Sequence, residues 1–344
     1  MSTSKGRASR FQEALAAGPV ICAEGYVFEL ERRGYLQAGA YVPEVVLEHP
    51  EVVLQLHEEF LRAGSDVVVA LTYYAHREKL RAVGLENRLE ELNRKALELA
   101  KHAAAPSGAL VAGNICNTWA YRPDDEAAAA EVRRQYTEQV GWAAEAGVDF
   151  ILAETIEYVG EALIALEVIQ SFGLPAVINF SPIYEKSKDG IGWAEACRIV
   201  KEHGADVVGF NCARGPATLL PLGRRLRKTV DGPIALVPVP YRTTADAISF
   251  QFLKRRGGSS AYTLGLDQHY IDRDEAADFA RRAEALGTGF IGLCCGAGPH
   301  HIRAVAEALG RRPAASRYSA DFSRHGLLGK QVKSHEKQFL ELWK

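Results

Sequence analysis

The stretches 63-AGSDVVVA-70, 146-AGVDFILA-153, 203-HGADVVGF-210 and 286-LGTGFIGL-293 repeat one pattern along the chain. Each places a glycine, the residue that most easily ends a helix in the left-handed conformation, a few positions before an apolar run of strand length. The runs do not alternate polar with apolar residues, which is typical of parallel strands buried on both faces. The repeat therefore predicts helices that lead into buried parallel strands.

Eight such apolar runs occur along the chain, with amphipathic stretches between them, for example over 50–63, 89–104, 127–146 and 299–309. The runs begin near Val20, Val67, Leu110, Phe150, Ala176, Val207, Ile234 and Phe290. A doubly wound sheet usually has fewer strands and a glycine-rich first turn, which AEGYVFELERRG at 23–34 lacks. We predict an α/β protein consisting of a single (β/α)₈ TIM barrel over residues 1–310, with a C-terminal extension over 311–344.

Composition and charge exclude several classes of protein. Of 344 residues 47% are hydrophobic, and 41 basic residues balance 43 acidic ones for a net charge of −2, so we expect no nucleic-acid partner. No apolar run approaches the roughly 20 residues of a membrane span, and no secretory signal is recognisable. Six scattered cysteines do not form a disulfide scaffold. We expect a soluble, cytoplasmic protein with free thiols.

The C-terminal extension ends in an apolar cluster made of Phe339, Leu340, Leu342 and Trp343. This end is more apolar than a free tail should be, so we expect it to pack on the barrel or on another subunit. The prediction is a homo-oligomer, either a dimer or a tetramer.

In such a barrel the reacting groups lie on the loops that follow the carboxyl ends of the strands. Many polar, aromatic and thiol side chains occupy these positions. In chain order they are Glu24; Thr72, Tyr73 and Tyr74; Asn114, Asn117, Trp119 and Tyr121; Glu154 and Thr155; Asn179 and Tyr184; Asn211 and Cys212; Tyr241 and Arg242; Cys294 and Cys295.

Three of the thiols follow strands that would share one rim of the barrel. Cys212 follows the sixth run, and Cys294 and Cys295 follow the eighth, where the break at 296–299 allows both vicinal thiols to face one ion. Zn²⁺ prefers thiolates, and three protein ligands with an open fourth position are typical of a catalytic site. Three thiolates leave a net charge of −1 on the centre, which suits a substrate sulfur held as a nucleophilic thiolate. We predict a zinc site.

Other interpretations of these residues stay open. A single cysteine at a strand end is more often a small buried hydrophobe, and we assign Cys22, Cys116 and Cys197 to the core on that basis. For the vicinal pair by itself, a metal or redox role and a chance occurrence without function are equally compatible with the sequence. His300 and His301 are possible further ligands, but we expect them to be a solvent-facing pair at a helix start.

The motifs GFNC at 209–212 and GLCCGAGPHHIRAVAEAL at 292–309 resemble the paired zinc signature of the homocysteine S-methyltransferase family. The segment 28–80 and PYRT at 240–243 look most like its betaine–homocysteine branch, and the resemblance covers roughly Gly18 to Leu309. The resemblance implies a zinc ion held by the three cysteines named above, homocysteine as methyl acceptor and methionine as product.

Residue by residue, the resemblance implies that Glu154 and Glu24 bind the amino group of homocysteine, and that Tyr74 and Tyr41 line the methyl-donor side. The sequence departs from the family pattern at three places. The usual Asp-Gly-Gly after the first strand is replaced by Glu24-Gly25-Tyr26, which is one residue shorter. Tyr41 and Thr155 stand where the betaine enzymes usually have Trp and Tyr.

The chemistry of the donor extends this set. A cation that carries methyl groups is best held by aromatic faces, so Tyr74 and Trp119 are our first candidates, although packing is the alternative for any single ring. Thr155 and Asn211 complete the predicted substrate-binding residues. If the donor carries a carboxylate, Arg242 or His76 is placed to meet it.

The leading hypothesis is a zinc-dependent methyltransferase that moves a methyl group from glycine betaine, or a similar small onium compound, to homocysteine. A sulfonium donor such as S-methylmethionine or dimethylsulfoniopropionate would use the same site. Transfer from a folate through a corrinoid is disfavoured, because the chain lacks the length for the extra domains. A hypothesis of another class is a non-catalytic zinc-binding barrel, for which an aromatic rim would have no purpose.

Overall fold

The fold is an eight-stranded parallel barrel, seen in a computed structural model that describes residues 9–325. The strands are β1 (Val20–Ala23), β2 (Val67–Val69), β3 (Leu110–Cys116), β4 (Phe150–Ile156), β5 (Ala176–Phe180), β6 (Val207–Asn211), β7 (Ile234–Val237) and β8 (Phe290–Leu293). They pair in chain order, and β1 closes the barrel against β8 with Val20 opposite Phe290 and Ala23 opposite Leu293. The predicted barrel is confirmed, and each strand begins at the predicted residue.

Helices surround the barrel and connect its strands. They are α1 (Arg10–Ala17), α2 (Tyr26–Arg32), α3 (Val45–Glu48), α4 (Pro50–Ala63), α5 (Arg77–Ala82), α6 (Leu89–Ala104), α7 (Glu126–Ala146), α8 (Val159–Ser171), α9 (Trp193–Glu202), α10 (Pro216–Arg227), α11 (Arg273–Glu284) and α12 (Pro299–Ala308). Two predicted boundaries differ by one residue. The side chain of Asp125 accepts from the amide of Ala128, so α7 begins at Glu126, and α12 ends at Ala308 instead of Leu309.

The aspartates of the repeated pattern tie neighbouring strands together at their amino ends. Asp66 accepts a hydrogen bond from the amide of Ile21 at 2.8 Å, and Asp149 accepts one from Val111 at the same distance. Asp206 makes the same contact, since its carboxylate accepts a hydrogen bond from the amide of Ala176 at 2.9 Å. In the fourth copy the position is a glycine, and its carbonyl accepts from Val20 instead. The repeat thus encodes both a helix end and the start of a strand pair.

Helix α1 closes the amino end of the barrel, a role that the sequence analysis did not assign to it. Its Phe11 is fully buried and stacks on Phe150 with the ring centroids 4.0 Å apart. The ring of Phe290 meets Phe11 edge-on at 6.4 Å. Because these rings fill the amino end, the open mouth of the barrel lies at the opposite end, where the strands finish.

The described part of the C-terminal extension packs against the outside of the barrel. After α12 the chain forms short 3₁₀ helices over Ala314–Tyr318 and Phe322–Arg324. The guanidinium of Arg62 in α4 lies 5.6 Å from the centroid of the Tyr318 ring, and Arg303 in α12 donates to the carbonyl of Ala315. The apolar end predicted to mediate self-association lies outside the described residues. Across residues 9–325, no helix combines the length and the apolar character needed to cross a membrane.

Candidate active site

The three thiols predicted to bind a metal come together at the mouth of the barrel. The sulfurs of Cys212, Cys294 and Cys295 lie within 4.8 Å of one another, and those of Cys294 and Cys295 are 3.7 Å apart. Sulfurs at about 2.3 Å from one tetrahedral zinc ion lie about 3.8 Å from each other. The spacing therefore fits a single Zn²⁺. Within the described part of the chain this cluster includes no histidine.

The backbone around the vicinal cysteines explains how both can face the same point. Strand β8 ends at Leu293, and the amide of Cys294 then donates to the carbonyl of Pro238 at 2.8 Å. Gly296 has a φ of 96°, and a Cβ at this position would lie 2.2 Å from the hydroxyl of Tyr241. Only glycine fits there, so the chain turns sharply and removes the alternation of side chains that a continued strand would impose.

Each of the three thiols affects the pKa of its neighbours. Hydrogen bonds from Cys294 and Cys295 hold the pKa of Cys212 well below its ordinary value. Burial raises the pKa of Cys294, as does its bond to Cys212. One thiolate is thus stabilised by two neighbouring thiols, and a cation at their centre would allow all three to ionise.

The remaining three cysteines lie elsewhere, and all six are free thiols. Cys22 is buried in β1, and the sulfur of Cys197 in α9 lies 3.8 Å from the carbonyl of Gly209. Cys116 is also buried, but its sulfur accepts a hydrogen bond from the amide of Tyr74 at 3.3 Å. It therefore helps to position a tyrosine of the barrel mouth.

Two buried carboxylates lie beside the sulfur cluster and share one amide. Oxygens of Glu24 and Glu154 lie within 4.8 Å of each other and of the Cys294 sulfur. The side-chain nitrogen of Asn211 is 2.8 Å from Glu154, 3.3 Å from Glu24 and 3.8 Å from that sulfur. Asn114, which the sequence analysis placed at the rim without a role, donates to Glu154 at 2.6 Å. Asn211 also accepts from the amide of Thr155, so it joins the carboxylates, the sulfurs and the end of β4.

No basic side chain among residues 9–325 pairs with these carboxylates, so they are not buried here as members of a structural ion pair. One oxygen of Glu24 has no hydrogen-bond partner. Burial raises the pKa of Glu24 well above its ordinary value and raises that of Glu154 to about 7. Ionised carboxylates are costly to bury unless they meet a cation, so at neutral pH this pair retains a proton or binds a cation.

Four tyrosines lie near Cys295. They are Tyr41, Tyr73, Tyr74 and Tyr262; burial raises the pKa of each, and the thiolate form of Cys295 would raise it further. The rings of Tyr73 and Tyr74 lie 4.2 Å apart. Tyr262 lies on the long connection between β7 and α11, and 42% of it is exposed. Sequence reasoning missed it, because no strand end marks its position.

The two aromatic residues that we chose first, Tyr74 and Trp119, also meet, with their rings 5.5 Å apart. A protein cation already contacts both of them. The ammonium of Lys79 in α5 lies 4.5 Å from the centroid of Tyr74 and 4.0 Å from that of Trp119. Trp119 is 52% exposed, so the outer part of this cluster faces solvent.

Five predicted site residues have positive φ angles, a backbone conformation that residues other than glycine rarely adopt. The φ values are 54° for Tyr41, 60° for Tyr74, 64° for Trp119, 56° for Thr155 and 57° for Cys212. Positive φ in such residues costs free energy and is concentrated at binding and catalytic sites. The backbone thus marks the same region as the side-chain chemistry.

Several sequence predictions at the rim were wrong. Arg242 is not available for a donor carboxylate, because its Nε donates to Glu275 at 2.8 Å. His76 is buried and caps α5, and burial lowers its pKa to about 4, so it carries no charge at neutral pH. His301 is buried rather than facing solvent, and it accepts a hydrogen bond from the amide of Gly298 at 3.2 Å.

Two rim aromatics are packing residues, as the alternative interpretation allowed. Tyr241 is fully buried, and its hydroxyl accepts from Arg32 at 2.7 Å. Tyr121 packs on Tyr158 with the ring centroids 5.2 Å apart.

A small cleft lies beside the sulfurs. It is lined by Glu24, Glu154, Cys294, Cys295, Asn114, Tyr73 and Tyr26, together with apolar side chains of β2 and the residues around it. Tyr26 was also missed, because it opens α2 and is not at a strand end.

Comparison with known proteins identifies the family of the chain. The family model for homocysteine S-methyltransferase matches residues 21–309. The S-methylmethionine–homocysteine S-methyltransferase BHMT2 of Pongo abelii is 35% identical over 340 residues, covering 95% of this chain and 88% of that protein. The betaine–homocysteine S-methyltransferase 1 of Danio rerio is likewise 35% identical over 340 residues, with 95% and 82% of the two chains covered.

Among solved structures, the metallated form of the homocysteine methyltransferase MmuM from Escherichia coli superposes with a TM-score of 0.68. It is 20% identical, and the match covers 86% of this chain and 99% of that one, so it supports the fold.

The matched family model and the two relatives place the chain among enzymes of the S-methyltransferase class. The chain belongs to the homocysteine S-methyltransferase family.

Proposed function

We propose that the protein transfers a methyl group from a small methylated onium compound to the thiol of homocysteine, held at a Zn²⁺ ion, and so produces methionine. The observation that carries this proposal is the set of three sulfurs within 4.8 Å of one another, directly beside two unpaired buried carboxylates. The pair of features matches an amino acid that has a thiol at one end and an ammonium at the other. A barrel that only stores metal would need no carboxylate pair.

Cys212, Cys294 and Cys295 would hold the zinc ion. A bound Zn²⁺ would lower the pKa of a coordinating substrate thiol, so that homocysteine would present a thiolate at neutral pH. Three thiolates would more than neutralise the ion and leave a net charge of −1, which would keep the substrate sulfur electron-rich. Oriented in this way, homocysteine would present one lone pair of its sulfur to the donor.

Glu24 and Glu154 would bind the ammonium of homocysteine. Burial, and for Glu24 also the charge of Glu154, raises their pKa values, so ionising both is unfavourable, and a bound ammonium would offset this cost. Asn211 would hold the carboxylates in place through its 2.8 Å and 3.3 Å contacts. These residues position the acceptor and take no proton in the transfer.

The donor would be held by the tyrosines that surround Cys295. The leaving group departs as a neutral amine or sulfide, so the reaction needs no general acid, and alignment of donor and thiolate is the main requirement. Aromatic faces stabilise a desolvated methylated cation by about 0.5–2 kcal/mol each. Glycine betaine is our leading donor. The similarity to an enzyme named for S-methylmethionine makes a sulfonium donor the second candidate.

The test is to incubate the zinc-loaded protein with homocysteine and one donor at a time from a panel of betaines, sulfonium compounds and methyltetrahydrofolate, and to measure methionine. We expect methionine with at least one onium donor and none with the folate. Stoichiometric zinc binding without methionine from any donor would contradict the proposal.

We also propose that the enzyme works in the cytoplasm as a homo-oligomer. All six cysteines are free, as a reducing compartment requires. The apolar residues near the end of the C-terminal arm at 311–344 are suited to contact a second copy. Light scattering of the full chain and of one with Phe339, Leu340, Leu342 and Trp343 changed to serine would show whether they mediate association.

A further inference from the structure

Lys79 is an almost buried cation at the mouth of the barrel, and neither the zinc site nor the acceptor site uses it. It is 7% exposed, and its ammonium lies over the rings of Tyr74 and Trp119 at 4.5 Å and 4.0 Å. The amide of the same residue donates to the ring of His76 at the start of α5, so the backbone of Lys79 is held in place as well.

The ammonium of Lys79 has no anion. Within residues 9–325 no carboxylate interacts with it; apart from burial, the only group that shifts its pKa is the thiol of Cys116. Two other basic residues at the ends of the strands already have anionic partners, since Arg242 pairs with Glu275 and Arg32 pairs with Asp267 at 3.3 Å. Aromatic faces stabilise a cation but accept no strong hydrogen bond, so the three N–H groups of Lys79 remain available to an anion.

The order of groups at the mouth suggests which anion this is. Tyr73 lines the same cleft as Cys294 and Cys295, its ring lies 4.2 Å from that of Tyr74, and the ammonium of Lys79 lies 4.5 Å from the Tyr74 ring. The two tyrosines therefore connect the cleft beside the sulfurs to the ammonium of Lys79. A donor must place its positive centre against the sulfurs, and the ammonium of Lys79 would repel that centre. Lys79 is thus suited to the opposite end of the donor molecule.

We propose that Lys79 is the residue that binds the carboxylate of the methyl donor. This inference rests on the proposed function above, and it names the part of the donor that the tyrosines do not recognise. Glycine betaine and S-methylmethionine both have such a carboxylate. Choline and other methylated cations without one would bind the tyrosines but leave Lys79 unpaired.

The first test uses the unaltered enzyme. Steady-state rates of methionine formation are measured with glycine betaine and with its amide, which has the same trimethylammonium group and no negative charge. We expect the KM of the amide to be higher by roughly 10- to 100-fold, as is typical when a charge-assisted hydrogen bond is lost. Equal KM values for the acid and the amide would overturn the inference and leave the proposed function intact.

The second test compares Lys79→Met, which keeps the length of the side chain, with Lys79→Arg, which keeps the charge. Lys79→Met should remove the preference for the acid over the amide, while the KM for homocysteine stays the same. Lys79→Arg should retain part of the preference. Lys95→Met, which removes a lysine paired with Glu98 on the surface of α6, is the matched control and should behave like the unaltered enzyme.

A purely structural lysine would give a different pattern, since Lys79→Met would then lower the rates with acid and amide by the same factor. That result would overturn the inference. If the unaltered enzyme makes methionine from no onium compound, the proposed donor class fails and the inference fails with it.

Discussion

The side-chain nitrogen of Asn211 donates to Glu154 at 2.8 Å and also lies 3.3 Å from Glu24, so one amide serves two buried carboxylates. This hydrogen bond lowers the pKa of both groups and opposes the effect of burial. Asn211 thus favours ionisation of the carboxylate pair, which in the proposed function binds the ammonium of homocysteine.

Replacing Asn211 with alanine should therefore weaken homocysteine binding most at low pH. Without the amide the pKa values of Glu24 and Glu154 rise, and fewer molecules carry the charge that binds the substrate. We expect the KM for homocysteine to rise about 10-fold at pH 7, relative to the unaltered enzyme, and less at pH 9. Asn93→Ala removes a buried asparagine that bonds to the carbonyls of Ala75 and Leu89, and it should leave this KM unchanged. The same KM increase in both variants would show that the effect is a general loss of packing.

The buried carboxylates also predict how the stability of the metal-free protein depends on pH. Burial raises the pKa of Glu154 to about 7, whereas the unfolded chain has an ordinary value near 4.5. Between these values the folded state binds more protons, so the contribution of Glu154 to the free energy of unfolding falls as the pH rises. Glu154→Gln cannot titrate and so lacks this pH-dependent loss of stability. As the pH rises from 5 to 7, the free energy of unfolding of the variant should increase by about 2 kcal/mol relative to that of the unaltered protein, measured by urea unfolding.

Glu157→Gln is the control for that measurement, because Glu157 is an outer carboxylate that pairs with Lys188. Its difference from the unaltered protein should not increase over the same pH interval. A constant difference for Glu154→Gln at both pH values would mean that this carboxyl titrates normally.

Gly25 determines how closely the loop after β1 can approach the loop after β8. An added Cβ at Gly25 would lie 1.9 Å from the carbonyl oxygen of Ala297, so Gly25→Ala must push the two loops apart. These loops carry Glu24 and Cys295, and we expect a loss of both zinc affinity and activity of more than about 10-fold, with roughly 1–3 kcal/mol of lost stability. Gly141→Ala in α7 is the control. Its Cβ would meet only the ring of Phe172 at 3.7 Å, and it should not lower activity.

Substitution of Tyr262 tests whether the tyrosines near Cys295 hold the methyl donor. Tyr262→Ala should raise the KM of the donor by roughly 2- to 30-fold, the range expected for the loss of one cation–π contact, and should leave the KM of homocysteine unchanged. Tyr318→Ala removes another exposed tyrosine, which contacts Arg62 outside the barrel, and serves as the control. If Tyr262→Ala changed the KM of homocysteine as strongly as that of the donor, its role in holding the donor would be refuted.

The architecture could be predicted because its signals are local. A glycine helix end followed by an apolar run, as at Gly64 and Gly147, marks the start of a strand whatever the rest of the chain does. Once the barrel is assumed, the strand ends bring Cys212 to Cys294 without any further information. The convergence of the sulfurs therefore follows from the fold.

The parts that were missed depend on contacts between distant segments. Arg242 has the sequence position of a substrate-binding residue, but Glu275, 33 positions further on, takes up its charge. Tyr262 reaches the site from a long irregular connection, whose path no periodicity describes. Lys79 resembles any surface lysine on a short amphipathic helix, and only the positions of Tyr74 and Trp119 show that it is nearly buried.

The most direct test of the central claim is zinc X-ray absorption spectroscopy of the zinc-loaded enzyme, recorded with and without homocysteine. We predict three sulfur ligands at about 2.3 Å in the free enzyme, and four when homocysteine is bound. Cys212→Ser should lose one of them, whereas Cys197→Ser, which alters a buried thiol outside the cluster, should lose none. Fewer than three sulfurs in the free enzyme, or no added sulfur with homocysteine, would contradict the account.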